Sequence, residues 1–225
     1  MSGASEEARN RFILEHTRLL PVPHAPEICL QQAEDSTALW LKTEEELGEI
    51  GLPPPFWAFA WAGGQALARY ILDNPYLVRG KRVLDFATGS GLVAIAAAMA
   101  GASHVSACDI DAFAITAVHI NAAANKVSVT GVLDDLTGRA GQWDVVLAGD
   151  VSYERDMARA TNNWLQGLSR QGIVVLIGDP GRSYLARDQL EAVANYQVPV
   201  IRDLEDAGVK NTSVWRFRQS LSPSP

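Results

Sequence analysis

The chain has 225 residues, of which 48% are hydrophobic, and its formal net charge is −7 with a pI near 5.1. This length and apolar content predict one domain over residues 1–219, including an N-terminal extension, followed by a frayed Ser-Pro-rich tail at 220–225. The acidic balance and the lack of a lysine- or arginine-rich cluster argue against a nucleic-acid partner, whereas an acidic surface attracts a lysine-bearing protein.

The first elements in chain order are an N-terminal helix and a glycine-containing turn. Residues 5–20 predict an appended amphipathic helix. Further on, an apolar strand enters a turn, and an alanine-rich helix over 92–100 leaves it; the strand and turn read Val83-Leu84-Asp85-Phe86-Ala87-Thr88-Gly89-Ser90-Gly91. A strand, a small-residue turn and a helix N-terminus form the element that binds nucleosides in doubly wound sheets. The motif therefore predicts a nucleoside cofactor.

The glycines alone leave the cofactor open. Residues 89–94 fit the dinucleotide pattern G-x-G-x-x-A, so a nicotinamide dinucleotide and S-adenosylmethionine are both candidates. Asp85 favours the second, because a carboxylate four residues before the first glycine repels a pyrophosphate but suits the ammonium group of a methionine moiety. The alternative is a generic buried turn that Asp85 caps.

A second and a third strand supply further carboxylates. Residues 104–109 predict a strand that ends in Asp109, which is the expected ligand of both ribose hydroxyls. Asp111 is expected to cap a helix over 112–124, with Asn121 and Asn125 at its C-terminal stop. Residues 127–133 predict the third strand, and one carboxylate of the pair that follows, Asp134-Asp135, is expected to accept the adenine amino group.

The fourth strand, over residues 144–150, ends at the position where chemistry is expected. It is a continuous apolar run, as in a strand buried on both faces, and ligands bind at the carboxyl ends of such strands. The segment Asp150-Val151-Ser152-Tyr153 is therefore expected to face the transferable group. Methyltransferases that modify bases or amides have a D/N-P-P-Y/F motif here, and this chain has no proline between Pro75 and Pro180.

The C-terminal part predicts a helix over 182–194 and then strands over 196–201 and 212–217. Two consecutive strands joined by a polar turn pair antiparallel. The predicted fold is an α/β, Rossmann-like, seven-stranded and mostly parallel sheet with one antiparallel strand, helices on both faces and an N-terminal helical extension.

Several motifs together resemble one enzyme family. Asp150-x-x-Tyr153 is similar to the D-x-x-Y motif of the seven-β-strand protein lysine methyltransferases called methyltransferase family 16. Within that family, residues 55–67, 73–75, 78–81, 149–150, 177–182 and 212–215 resemble the electron transfer flavoprotein β-subunit lysine methyltransferases. One departure is Ala87, where many methyltransferases have the first loop glycine; alanine is tolerated there if φ stays negative.

The resemblance implies S-adenosylmethionine as cofactor and the electron transfer flavoprotein β-subunit as the protein partner. It implies catalytic roles for Asp150 and Tyr153. The implied cofactor-binding residues are Trp61, Asp85, Ala87, Gly89, Gly91, Asp109, Ile110, Asp134 and Asp150.

The substrate lysine must be neutral to react, and desolvation in an aromatic channel favours the neutral form. Candidates for the lining are Trp57, Phe59, Trp61 and Tyr153, while Phe56 and Phe59 also suit core packing. Asp150 is expected to orient the lysine nitrogen; the alternative is that it caps the following helix.

Other functions stay open on these residues: methylation of a small molecule or of another protein such as a ribosomal protein, and a non-catalytic cofactor-fold adaptor. Retention of all the motif carboxylates argues against the adaptor. Two separated cysteines, Cys29 and Cys108, predict neither a disulfide nor a metal site. A metal partner is therefore not expected. The sequence has no 18-residue apolar span, secretory signal or acid-poor transit peptide, so no membrane partner is expected, and the expected location is cytoplasmic.

Overall fold

A central seven-stranded sheet organises the protein in a computed structural model, which describes residues 5–33, 54–200 and 208–218. Its strands are β3 (Arg82–Phe86), β4 (His104–Asp109), β5 (Thr130–Leu133), β6 (Val145–Gly149), β7 (Val174–Asp179), β8 (Leu190–Pro199) and β9 (Val209–Phe217). The strand order is β5-β4-β3-β6-β7-β9-β8, with β9 antiparallel to both of its neighbours and all other pairs parallel. The predicted sheet, mostly parallel with one antiparallel strand, is confirmed.

Helices cover both faces of this sheet. They are α2 (Ala62–Asp73), α3 (Leu92–Met99), α4 (Ala112–Ala124) and α5 (Arg155–Arg170), while α1 (Glu6–His16) packs on α4. Helices α2, α3 and α4 share one buried cluster with Val83, Val145 and Leu147, whereas α5 packs against the opposite face through Trp164 and Leu165. Because alternate side chains of a strand point to opposite faces, strands buried on both sides read as the continuous apolar runs seen in the sequence.

Glycines bring the start of α2 against the sheet backbone. A Cβ on Gly63 would overlap the carbonyl oxygen of Gly178, and a Cβ on Gly178 would overlap the carbonyl oxygen of Gly63. No residue larger than glycine fits at either position without a backbone shift. This close approach places the N-terminus of α2 directly beside the ends of β6 and β7.

The N-terminal region differs from the predicted helix over 5–20. Helix α1 ends at His16, and a hairpin of β1 (Arg18–Val22) and β2 (Ala25–Gln32) follows. Pairing of residues 18–20 with residues 30–32 explains the error, and Pro21 further disfavours helical φ and ψ at Leu20. The helix predicted over 112–124 is confirmed, with Asp111 as its N-cap and Asn125 as its C-cap. The amides of Asn121 and Asn125 also bind the backbone of β2 at Gln31 and Cys29.

The helix predicted over residues 182–194 is wrong. That region contains a 3-10 turn at Arg187–Gln189 and then the ten-residue strand β8, whose pairing with β9 extends from Leu190↔Phe217 to Pro199↔Val209. Pairing along a full strand outweighs the high helix propensity of the Leu-Glu-Ala-Val-Ala segment. Strand β5 also begins at Thr130, later than predicted. Ile201 of the strand predicted over 196–201, the first part of the polar turn that follows it and the tail at 220–225 lie outside the described residues.

Candidate active site

A cavity of about 490 Å³ lies at the carboxyl ends of β3, β4 and β6. Its volume is in the range of sites that bind small molecules and cofactors. Most of the residues predicted for the site line it, namely Trp61, Asp85, Ala87, Gly89, Asp109, Ile110, Asp134, Asp150 and Tyr153. Gly91 is absent from the lining; it starts α3 with φ +83° and lies against Val118, so its place in the fold is a packing position.

The loop after β3 has three residues with left-handed backbone. Ala87, Gly89 and Gly91 have φ values of +52°, +54° and +83°. The expectation that Ala87 keeps a negative φ is therefore wrong. Left-handed φ costs a non-glycine residue roughly 1–2 kcal/mol, and the surrounding turn maintains it through hydrogen bonds from the Thr88 N–H to the Cys108 carbonyl and from the Gly91 N–H to the Thr88 carbonyl.

Asp85 stabilises this loop through side-chain hydrogen bonds. Its Oδ2 accepts hydrogen bonds from the Thr88 hydroxyl and from the Ala94 N–H in the first turn of α3. The side chain is 1% exposed, and burial raises the pKa of Asp85 to about 7. The predicted cap of the turn is therefore present, and Asp85 also lines the cavity. Its predicted contact with the ammonium group of the cofactor stays a prediction.

Asp109 ends β4 with both carboxylate oxygens directed to loop backbone. Oδ2 accepts from the Gly89 N–H at 2.9 Å and Oδ1 from the Asp111 N–H at 3.0 Å. A carboxylate has about four acceptor positions, so Asp109 keeps acceptor capacity beyond these two bonds. Ile110 beside it is 75% exposed and covers the rim of the cavity. This arrangement leaves room for the two ribose hydroxyls expected at Asp109.

The acidic pair after β5 has different partners. Asp134 forms a two-pronged ion pair with Arg139, at 2.6 and 2.9 Å. Asp135 accepts the Thr137 N–H in a tight turn. Both carboxylates line the cavity, so the choice of the adenine acceptor between them stays open.

Asp150 follows β6 in a left-handed conformation with φ +56°. Its Oδ2 accepts the Gly64 N–H of the first turn of α2 at 2.9 Å, and its Oδ1 receives the Arg182 guanidinium at 2.7 and 3.1 Å. Helix α5 is capped by Glu154, so the alternative in which Asp150 caps the following helix is wrong. Asp150 instead caps α2 across the site. Burial raises the pKa of this carboxyl to about 6 against the opposing effect of Arg182.

Aromatic side chains line the same cavity as Asp150. Tyr153 is 49% exposed, and its ring centroid lies 5.5 Å from that of Phe56. Trp61 donates its indole N–H to the Phe56 carbonyl and lies 5.7 Å from the Arg182 guanidinium. Phe56, expected to be core packing, lines the cavity, whereas Phe59 is 2% exposed within a buried cluster as well as at the cavity wall.

Comparison with known proteins is consistent with this geometry. The model of the ribosomal protein L11 methyltransferase (PrmA) family matches residues 66–151. An electron transfer flavoprotein beta subunit lysine methyltransferase from Xenopus laevis is 38% identical over 213 residues, covering 92% of this chain and 85% of that protein. The Mus musculus protein of the same name is 42% identical over 170 residues, covering 72% and 67%.

The chain belongs to the electron transfer flavoprotein β-subunit lysine methyltransferase family. As a member of this family it is an S-adenosylmethionine-dependent protein-lysine methyltransferase, which confirms the predicted activity and cofactor. The nicotinamide, small-molecule and adaptor alternatives are thereby excluded. Magnesium protoporphyrin IX methyltransferase from Synechocystis, solved with S-adenosylhomocysteine, shares the fold at 14% identity and a TM-score of 0.51 over 81% of this chain and 98% of that one.

The residues of this lysine methyltransferase fit S-adenosylmethionine. The cavity has an open carboxylate at Asp109, a second carboxylate at Asp85 and an apolar wall that includes Leu92 and Val93. These are the groups that a nucleoside with hydroxyl, ammonium and hydrocarbon parts requires. Asp85 pairs with Ala107 on the adjacent strand, two residues before Asp109, so the side chains of Asp85 and Asp109 lie on the same face of the sheet.

Sequence reasoning missed Arg182, Thr88 and Asp179 as parts of the methyltransferase site. Thr88 lies inside the recognised loop, and its position three residues after Asp85 was the available signal. Arg182 and Asp179 lie in the Asp-Pro-Gly-Arg turn after β7, within a segment that resembles the family. The wrongly predicted helix starting at residue 182 concealed that turn. No group of metal-binding side chains occurs within the part of the chain that the structure describes, and no helix there is long and apolar enough to cross a membrane.

Proposed function

We propose that this enzyme methylates a lysine of the electron transfer flavoprotein β-subunit, the protein on which its relatives are named to act. The single observation that supports the site of reaction is that the buried Asp150 carboxylate and the half-exposed ring of Tyr153 line the same cavity. A lysine side chain that enters this cavity between the aromatic groups would find the Asp150 carboxylate there. The net charge of −7 favours the approach of a lysine-bearing surface.

We assign the cofactor to the part of the cavity next to the β3 loop. Asp109 accepts the ribose hydroxyls and Asp85 faces the ammonium end, while the backbone of Ala87 and Gly89 forms the loop around the nucleoside. Ile110 and Trp61 cover it, and Asp134 or Asp135 accepts the adenine amino group. Gly91 contributes through the packing that positions α3, and Asp150 lies where the cofactor and substrate halves meet.

Bound S-adenosylmethionine supplies an electrophilic methyl group, which the neutral lysine nitrogen takes as the C–S bonding pair returns to sulfur. Neutral lysine is rare near pH 7, because its ordinary pKa is about 10.4. The apolar walls of the channel favour the uncharged amine, and the proton leaves to solvent. Asp150 accepts an N–H of the amine and so directs its lone pair, and Tyr153 covers the substrate side chain.

The test uses purified β-subunit, methyl-labelled cofactor and peptide mass spectrometry. We expect label on a β-subunit lysine with wild-type enzyme and about 100-fold less with Asp150→Asn. Ribosomal protein L11 is the comparison substrate, because that family's model matches residues 66–151. Label on L11 with none on the β-subunit would overturn the proposed substrate.

A further inference from the structure

The turn after β7 directs a positive charge at Asp150. Asp179 Oδ1 accepts the N–H groups of Gly181 and Arg182 at 2.6 and 2.7 Å, which fixes the backbone where Arg182 begins. From there the guanidinium reaches Asp150 Oδ1 through Nη2 at 2.7 Å and Nε at 3.1 Å. Asp150 is 8% exposed and the Arg182 side chain is 20% exposed, so water screens the Arg182–Asp150 ion pair only in part.

The charged and titratable groups around this pair come from several elements. Asp150 and Tyr153 follow β6, with Glu154 next to them, and Asp179 ends β7. Asp109 at the end of β4 acts on Tyr153 from across the cavity. Arg182 is the cation that acts on both Asp150 and Asp179.

The ion pair between Arg182 and Asp150 changes the charge that a substrate lysine encounters in the cavity. A bare buried carboxylate stabilises the ammonium form of a nearby lysine and raises the lysine pKa, which opposes reaction. A carboxylate already neutralised by a guanidinium does not, and the cation itself disfavours a second positive charge beside it.

The number of free acceptor positions on Asp150 also favours a neutral amine over an ammonium group. The N–H of Gly64 and two N–H groups of Arg182 occupy three of the roughly four acceptor positions of Asp150. One position remains. A neutral amine can fill it with one N–H and keep its lone pair free, whereas an ammonium group has three donors to satisfy.

We propose that Arg182 is a positioning residue that keeps the substrate lysine neutral by neutralising Asp150, so that Asp150 orients the amine without trapping it as a cation. This inference rests on the proposed role of Asp150 as the group that orients the lysine. It assigns to the Asp179 turn the task of holding Arg182 in place.

The test is the pH dependence of the single-turnover methylation rate between pH 6.5 and 10, which avoids masking by product release. Arg182→Gln should raise the apparent pKa of the rate by about one unit or more. Its rate at pH 7 should therefore fall about 10-fold and recover towards pH 10, with a KM at pH 7 no higher than that of wild type. Arg182→Lys keeps the charge and should stay near the wild-type profile.

The matched control is Arg155→Gln, which removes an equal charge from an exposed position at the start of α5, outside the cavity lining. Arg155 lies 5.7 Å from the Tyr184 ring, and its variant should not shift the apparent pKa. If Arg182→Gln does not fold, Arg182→Met, which keeps an apolar stem next to Trp61, provides the same measurement.

A rate that falls equally at every pH, with no shift in apparent pKa, would show that Arg182 is merely structural and would overturn the inference. Asp150→Asn distinguishes this from failure of the underlying proposal. If Asp150→Asn turns over normally, the role of Asp150 itself is wrong, and the inference about Arg182 fails with it. If Asp150→Asn is inactive and only the pKa shift is absent, the role of Asp150 stands without Arg182. The substrate is whichever protein the wild-type enzyme labels, so the measurement does not depend on the β-subunit.

Discussion

Replacing Asp150 with asparagine changes the charge and the hydrogen-bond balance at once. Both carboxylate oxygens receive N–H donors, from Gly64 on one side and Arg182 on the other. Asparagine has one oxygen and one NH2 group, so its NH2 group must face either the Gly64 N–H or the Arg182 guanidinium, both of which are donors. A buried donor left unpaired costs about 1–3 kcal/mol. Because Arg182 is partly exposed and can turn towards water, we expect a loss of about 2 kcal/mol in unfolding free energy, or a Tm lowered by about 4–8 °C.

The same variant tests the chemistry at a temperature where it is folded. Turnover should fall roughly 100-fold or more, because the amine loses its orienting carboxylate. Affinity for S-adenosylhomocysteine, measured by calorimetry, should stay within about 1 kcal/mol of wild type, since the proposed ribose ligand lies on another strand. Asp156→Asn, in the first turn of α5, is the charge-matched control, and Tyr153→Phe should be milder because the ring remains.

Normal turnover by Asp150→Asn would refute this reasoning and reduce Asp150 to a cap on α2. Loss of cofactor binding with a folded protein would instead place Asp150 within the cofactor site, and the lysine would be oriented by another group.

Four further predictions concern the cofactor half and pH. Asp109→Ala should weaken S-adenosylmethionine binding by roughly 2–4 kcal/mol in calorimetry, and an unchanged affinity would remove Asp109 from the site. Ala87→Gly should raise the unfolding free energy by roughly 0.5–1 kcal/mol in denaturant titration, because relief of left-handed strain exceeds the added chain entropy. Burial raises the pKa of Asp85 from 3.8 to about 7. Between pH 4 and pH 7 the folded state therefore binds more protons than the unfolded state, so the unfolding free energy of the cofactor-free protein should fall as the pH rises. Thermal melts of Asp85→Asn over the same range should show a smaller fall in stability. The wild-type rate should climb from pH 7 to pH 9 as neutral lysine increases, and a flat profile would indicate another rate-limiting step or a general base.

The parallel part of the sheet could be predicted because its strands are buried on both faces. A continuous apolar run such as Val145–Gly149 indicates a strand that is covered on both faces, and ligands bind at the carboxyl ends of such strands, so the runs alone predict where the cavity lies. Asp109 and Asp150 were found for the same reason, since each stands at or just after the end of such a strand, whereas Asp85, inside β3, was found from its spacing to the glycines of the loop.

The errors arose where a long-range contact decides the local structure. The strand β8 is amphipathic and alanine-containing, and only its pairing with β9 makes it extended. The partner of Asp150 was missed for a similar reason: Arg182 lies 32 residues away, and the Asp179 turn that aims it has no periodic signal. The positive φ of Ala87 depends on tertiary hydrogen bonds that no propensity describes.

The central claim is that one cavity joins a cofactor site to a lysine-orienting carboxylate at Asp150. The most direct measurement incubates cell extract with methyl-labelled S-adenosylmethionine and purified enzyme, and then identifies the labelled molecule and atom by mass spectrometry. We expect label on the ε-nitrogen of a lysine in the electron transfer flavoprotein β-subunit, with Asp150→Asn giving only background. Label on a nucleic acid, a small molecule or a side chain other than lysine would contradict the account.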